Sequence, residues 1–586
     1  MNTDTSRLGS NSQKRYGTSA MSSPDMNAIL GEDIVKVKFN RSSSVGPGMK
    51  GSTLNAMDRN RRALYVNLPF LSVYGMQYRE RSIARSLSKM GISDMAEMSE
   101  KATLLESVDV DEVIMTWPLM SAVLVAVLLQ FLVGYNISVM NAPELVVFPG
   151  HTTTEWSLAV SVFAIGGPFG AVLAGRVSNT SGRRAAIVLN AWIFLAGGLL
   201  LTLSPSVRWL IPARVVIGFA SGFATVIVPI YLGELAPPTL RGTLGTLTQF
   251  AMVIGILGSN LMAFPLATKE GWRLLFAVTP ALAVVQLLCL PLIFESPRWL
   301  LNRDPYSMEA RVVIKRLRGF RSDEDLQIEI DHILEASSAQ KTQHTSAHSR
   351  GAVKDLLTDP SVRILVVSFV ILHMAQQLSG INAIFYYSNS FFDGIIDNPL
   401  VGTTLVGAVN VIATYVALHL MDRAGRVTLI LWSSGGMLVC AALVTLTLME
   451  IFPSIIAVVG VMGFVSFFEI GLGPIPWLIV AEMFDAKYVS TAMSVACQIN
   501  WASNFVVGIS WPSINATLGV WSFMPFSIVL LITFVFTWKY QPETAGKTVA
   551  ELHWQINNGT GGKDTAETAV PPVQFLVVEG VDLSMN

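Results

Sequence analysis

Twelve apolar runs of membrane-spanning length follow one another along this chain, starting near Trp117, Trp156, Ala185, Trp209, Gly242, Trp272, Val362, Leu400, Val427, Ile455, Thr491 and Val520. Inside hydrocarbon every backbone N–H and C=O must be satisfied by the chain itself, so continuous apolar runs of this length are read as helices. The expected architecture is an all-α membrane protein. Composition agrees, with 52% hydrophobic and 14% charged residues among 586 and a mean hydropathy of +0.51. The first run comes only after about a hundred polar residues, so no cleavable signal peptide is expected and run one would act as an internal anchor. A net charge of −1, without a basic stripe interleaved with aromatics, gives no reason to expect a nucleic-acid partner. Cys289, Cys440 and Cys497 fall inside the runs at no metal-like spacing, and no cofactor or metal ligand set is recognised.

Arg176, Arg183, Arg184, Arg241, Arg423, Arg426 and Lys487 lie in loops on one side, against Arg208, Lys269 and Arg273 on the other, which assigns the first side and both termini to the cytoplasm. Residues 1–115 read as a largely disordered tail, within which the basic and aromatic stretch from Arg61 to Lys89 suits an anionic leaflet or a solvated linker about equally. Residues 116–295 and 362–541 form two six-run halves. Between them lies a cytoplasmic linker, 296–361, with helical stretches at Glu309–Arg318 and Asp323–Ala336, and residues 542–586 are a second tail. The halves repeat: Gly182-Arg183 returns as Gly425-Arg426, Glu234 as Glu482, and Glu295-Ser296-Pro297 as the Pro542-Glu543-Thr544 region, at offsets near 245 residues. Two similar halves related by an axis along the membrane normal leave a cleft between them, with a site at the midplane.

Gln376-Gln377-Leu378-Ser379-Gly380-Ile381-Asn382 lies within run seven and continues into Phe385, Tyr386 and Tyr387. Amides and phenols at that depth are costly unless they face a wet cavity, and neutral donors and acceptors match a neutral polyhydroxylated ligand. On an unbroken helix Asn382 points away from Gln377, whereas a break at Ser379-Gly380 lets the amides converge. Polar glue between helices is the competing reading for a lone amide; four polar groups beside a glycine favour a site.

Charged groups mark the cytoplasmic ends of both halves: Arg176, Arg183, Arg184, Glu234, Arg241, Glu295 and Arg298 in the first, and Asp422, Arg423, Arg426, Glu482 and Glu543 in the second. Their recurrence is read as a cytoplasmic latch of inter-helix ion pairs, closed while the cleft opens outward and broken when it opens inward. The repeat of Arg241 falls at Val489, with Lys487 the nearest cation, so the second latch is expected to be looser.

These stretches, with Gly245-Thr246-Leu247-Thr248-Gln249, Gly473-Pro474-Ile475-Pro476-Trp477 and Asn500-Trp501-Ala502-Ser503-Asn504, resemble the sugar porter family of the major facilitator superfamily, specifically its facilitative glucose transporters. The resemblance runs from the first apolar run to residue 548. It implies sugar contacts at Gln249, Gln376, Gln377, Asn382, Asn410, Glu469, Trp477 and Asn500, and an outer gate of Phe385, Tyr386 and Tyr387. Helical spacing is compatible, since Gln249 shares a face with Ile256 and Asn500 with Asn504. Where proton-linked sugar porters that the chain resembles carry an aspartate after Gly-Tyr, this chain has Gly134-Tyr135-Asn136, and an amide takes up no proton near neutrality. The expectation is uniport of a glucose-type hexose, with His373 the residue best able to overturn it. The alternatives are a proton-coupled hexose or polyol symporter and a non-transporting glucose sensor. No nucleophile–base pair or phosphate loop supports an enzyme.

Overall fold

The computed structural model describes residues 34–36, 114–237, 240–320, 322–344, 352–421, 423–485 and 487–557. The Arg61–Lys89 stretch, Asp422 and the tail beyond residue 557 therefore lie outside the described residues. Within the first tail, Ile34–Lys36 pairs antiparallel with Ile114–Thr116.

The first half comprises α1 (Trp117–Ser138), α2 (Thr153–Ser161), α3 (Phe163–Ser181), α4 (Arg183–Thr202), α5 (Val207–Leu235), α6 (Arg241–Leu266) and α7 (Trp272–Leu288). A linker of four helices follows: α8 (Pro297–Arg303), α9 (Met308–Arg318), α10 (Asp323–His344) and α11 (Ala352–Thr358). The second half holds α12 (Arg363–Leu378), α13 (Ile381–Phe392), α14 (Pro399–Met421), α15 (Arg426–Leu448), α16 (Ile455–Ile470), α17 (Ile475–Met483), α18 (Val489–Leu518) and α19 (Met524–Tyr540), before a terminal α20 (Val549–Asn557).

Among the described residues nine helical stretches are long and apolar enough to cross a bilayer by themselves. The other three expected runs are helical but differ in form. Helix α7 has 17 residues, about 25 Å at 1.5 Å per residue against a hydrocarbon thickness of about 30 Å. The last two, Val489–Trp521 and Met524–Tyr540, meet the criterion only as a pair bent by 91°.

Helices pack closely because small residues line their contacts, the main route to tight association where lipid offers no hydrophobic drive. A Cβ on Gly134 of α1 would fall 1.8 Å from the Met252 carbonyl oxygen of α6, and one on Gly255 would fall 2.1 Å from that of Phe131. The α3–α5 contact repeats the device with Gly170 and Gly218. The halves meet along α6 against α14, and along α2 and α3 against α18.

The linker has its own small core of Leu300, Leu301, Ala310, Ile314, Leu326 and Ile330. It is tied to the first half, with Arg318 Nη1 donating to Leu235 O at 2.7 Å and Trp299 Nε1 to Asn179 O at 3.0 Å.

Candidate functional site

Helix α12 stops at Leu378 and α13 starts at Ile381, with Gly380 at φ +92° between them. A side chain there would be strained in that backbone conformation and would also place a Cβ 2.4 Å from the Phe526 ring. The break turns the amides onto one another. Gln377 Nε2 donates to Asn500 Oδ1 at 3.0 Å, Asn382 Nδ2 donates to Gln377 Oε1, and Asn500 Nδ2 donates to Gln376 Oε1. All four side chains are buried.

A second break, at Gly471–Pro474 between α16 and α17, faces the first. Gln376 Nε2 donates to its freed carbonyls, Leu472 O at 2.9 Å and Gly473 O. Irregular backbone at membrane depth is thereby satisfied by a side chain from another helix. Glu469 adjoins this break, since a Cβ on Gly473 would lie 3.3 Å from its Oε2. Glu469 lies beside Thr414, whose hydroxyl donates to Asn410 O at 2.8 Å. The Asn410 amide is fully buried, with neither its nitrogen nor its oxygen hydrogen-bonded. That is an expensive state which a ligand or water would relieve.

Trp477 joins the cluster through His373: the rings meet edge-on at 4.8 Å, and His373 Nδ1 lies 3.4 Å from Asn500 Nδ2. Gln249 sits half-buried on α6, in the first half. Trp501 is buried against Phe163 and the bare backbone of Gly167.

Phe385, Tyr386 and Tyr387 are buried on α13. The two phenols bind within their own half, Tyr386 to Asn504 Oδ1 and Tyr387 to Gly508 O, both at 2.8 Å. Closure between the halves on this outer side rests on residues the sequence reading missed. Asn141, just beyond α1, donates to Ser388 Oγ at 2.8 Å and Phe385 O at 3.1 Å, and accepts from Asn389 N at 3.0 Å. Asn260 of α6 donates to Thr403 O of α14 at 3.1 Å and accepts from Ser138 at 2.7 Å. The available signal was a lone amide at the outer end of an apolar helix.

At the opposite ends the repeat becomes geometry. The Arg183 guanidinium forks onto Glu234 with two 2.7 Å bonds, and that of Arg426 onto Glu482 at 2.8 and 3.2 Å. Glu295 is not the ion-pair partner the sequence suggested. It caps the N-terminus of α4, accepting the backbone N–H groups of Arg183 and Arg184, as Glu543 caps α15 through those of Arg426 and Val427. Burial pushes the Glu295 carboxyl up, against the lowering effect of those N–H donors. Gly182 and Gly425 leave room for the carboxylates, each within 2.3 Å of where a Cβ would stand. Both forks are inter-helix ion pairs, each within one half, and both are formed while the halves are joined at the outer side. Arg176, Arg184, Arg241 and Arg423 are exposed, Arg298 is half-buried, and Arg241 Nε donates to Gly233 O at 3.1 Å.

Asn136 is buried beside Arg214, and they meet through backbone. Arg214 Nη1 donates to Asn136 O at 2.7 Å, and its guanidinium lies over the Phe163 ring at 4.6 Å. The Asn136 side chain instead binds Leu132 O and Thr279 Oγ1.

Two pseudo-equivalent helical halves with an inter-bonded polar cluster at broken helices between them define a membrane carrier of the major facilitator fold. The family model for Sugar (and other) transporter matches residues 122–556, and the chain belongs to that family. It is 37% identical over 478 residues to facilitated glucose transporter member 3 of Ovis aries, covering 76% of this chain and 95% of that one. To facilitated glucose transporter member 4 of Homo sapiens it is 38% identical over 467 residues, covering 75% and 90%. Among solved structures it is similar to the xylose transporter XylE from E. coli in its inward-open conformation. There the TM-score is 0.64 at 25% identity, over 74% of this chain and 99% of that one. The partially occluded inward-open form of the same transporter gives 0.60.

Proposed function

We propose that this chain is a facilitative hexose carrier of the glucose type, working as a uniporter by alternating access. The observation that carries the proposal is the set of neutral amides, Gln376, Gln377, Asn382 and Asn500, bonded to one another at the α12–α13 break. Such groups exchange their mutual bonds for those of a sugar hydroxyl shell without any charge being desolvated. Gln249, Asn410, Glu469 and Trp477 complete the sugar site in this reading, and Phe385, Tyr386 and Tyr387 close over it. The named activity of the similar facilitated glucose transporters supports the substrate class.

Asn136 favours uniport over the proton coupling of the D-xylose-proton symporter to which the fold is also similar. The same reading takes the chain across the membrane twelve times with both termini cytoplasmic, in halves spanning 116–295 and 362–541, most simply in the plasma membrane. The arginine–glutamate groups act at the cytoplasmic ends as braces, and no catalytic role is assigned. Counterflow of labelled hexoses into liposomes holding the purified protein tests the proposal. Uptake unaffected by a protonophore is the expected result. Folded protein that passes no hexose in either direction would refute it, and uptake abolished by the protonophore would replace uniport with symport.

A further inference from the structure

Among the described residues Arg214 is the one arginine or lysine fully buried in the spans, at 0% exposure on α5. Its guanidinium donates to Asn136 O of α1 at 2.7 Å and to Val160 O of α2 at 3.4 Å, and lies 4.6 Å over the Phe163 ring. Its Nε has no partner. Carbonyls and an aromatic face orient the charge without cancelling it, and none of these partners is a carboxylate. The titratable groups that act on it are Tyr386 and Tyr387 of the other half, phenols that are neutral at physiological pH. Glu469, the one buried carboxyl among the described residues, is on α16 in the second half. An arginine stays ionised, and an ionised group held in low dielectric feels the membrane voltage.

Its depth gives the sign. Asn136 lies in the last turn of α1, and Asn141, just beyond, makes bonds that close the halves on the outer side. Arg214 stands seven residues past the Val207 start of α5, about 10 Å or roughly a third of the hydrocarbon thickness. Parting the halves brings outer water down to the two phenols and the guanidinium, which then sits at the outer potential. Closing them seals that water away and moves the guanidinium about a third of the way, or more, toward the inner potential. A positive charge gains from this when the inside is negative. Interior-negative voltage therefore favours outer closure, and interior-positive voltage favours opening.

We propose that Arg214 is a voltage sensor for the rocking of the two halves. Each full cycle returns the guanidinium to its starting place, so voltage sets rates and the side the site faces, not the equilibrium distribution of a neutral hexose. The effect on transport rests on the carrier reading above, whereas the effect on conformation does not.

Ser161 of α2 is buried against α18 of the other half, 3.1 Å from where a Cβ on Gly508 would stand. Ser161→Cys, with Cys289, Cys440 and Cys497 changed to alanine, is reached by an impermeant maleimide only when the outer side opens. In full-length protein in liposomes without sugar at pH 8, valinomycin with a hundredfold potassium gradient sets the voltage in either direction. A unit charge crossing the whole field shifts an equilibrium by the gradient itself, so a third of the field gives about 5-fold. The opening constant, read from the labelling rate against that of denatured protein, should fall about 5-fold or more with the lumen negative and rise with it positive. Arg214→Met should lose the response, as should Asn136→Asp, which sets a carboxylate beside the guanidinium and serves if Arg214→Met folds poorly. Arg214→Lys and Glu469→Gln should keep it. Labelling indifferent to voltage in the parent, a response kept in Asn136→Asp or Arg214→Met, or one lost in Arg214→Lys or Glu469→Gln overturns the sensor. Voltage-dependent labelling of protein that passes no hexose leaves the sensor standing and removes the carrier reading.

Discussion

Gln377 is the hub of the amide cluster, and Gln377→Ala measures what the cluster contributes. Its side chain donates to Asn500 at 3.0 Å, accepts from Asn382, and lies 3.4 Å from Gln376 Oε1. A hexose seated here would take over one or two of these bonds. At about 0.5–1.5 kcal/mol net for each, truncation should cost roughly 0.5–3 kcal/mol of binding, a rise in Kd of about 2- to 150-fold. The lower end is expected, because Asn500 keeps Gln376 Oε1 as a partner and remains oriented. Equilibrium binding of labelled hexose to purified protein gives the number, with thermal melting as the check on folding. Gln376→Ala should behave differently, since Gln376 also ties the Leu472 and Gly473 carbonyls of the second break. That variant should lose turnover as well as affinity. Unchanged Kd in both variants, with melting intact, would refute the site.

Further predictions follow from the geometry. Gly380→Ala forces a side chain into φ +92° against Phe526, and should cost about 1–3 kcal/mol of stability, read by melting. Phe526→Leu in the same chain should recover only the steric part. Arg183→Lys and Arg426→Lys each exchange a two-pronged fork for a point charge, losing one charge-assisted bond of about 1.5–3 kcal/mol. The loss should be greater for Arg183, whose pair is 11% exposed on each side against 17% and 21% for Arg426 with Glu482; equal melting shifts would count against a role for burial. Asn136→Asp should make uptake depend on pH between 5 and 8, because it puts a proton-binding group beside Arg214; a flat profile would remove helix α1 from the question of coupling.

The sequence made some of this legible for definite reasons. Glycine beside amides marked the break at Ser379-Gly380, because few backbones in hydrocarbon tolerate that pattern without a helix interruption. Recurrence marked Arg183 and Glu234, and Arg426 and Glu482, as charged groups at equivalent places in the two halves, but which guanidinium meets which carboxylate came from the structure. Spacing could not say that Glu295 and Glu543 would serve backbone N–H groups rather than guanidiniums, since cap and ion pair demand the same residue type near the same helix end. The outer closure was hidden for another reason. Asn141 and Glu144 act on residues about 245 positions away, and nothing local distinguishes a loop amide that bridges two halves from one that faces water.

Where the charges sit decides which interface is soft. Each guanidinium fork joins α4 to the end of α5, or α15 to the end of α17, and each glutamate cap ties the loop after the last helix of its half to the same point. Removing one member of such a partly buried group costs several kcal/mol, so each half resists bending at its cytoplasmic end. The outer interface is of other material: Asn141 with Ser388, Phe385 and Asn389, and Asn260 with Thr403, are neutral bonds that water replaces at about 0.5–1.5 kcal/mol each. Two arrangements whose difference is a few such bonds differ by only a few kcal/mol, which keeps both populated. In the carrier we propose, the ion pairs therefore keep each half rigid while it rocks. The bending left over falls to the breaks at Ser379-Gly380 and Gly471–Pro474, where the amides meet.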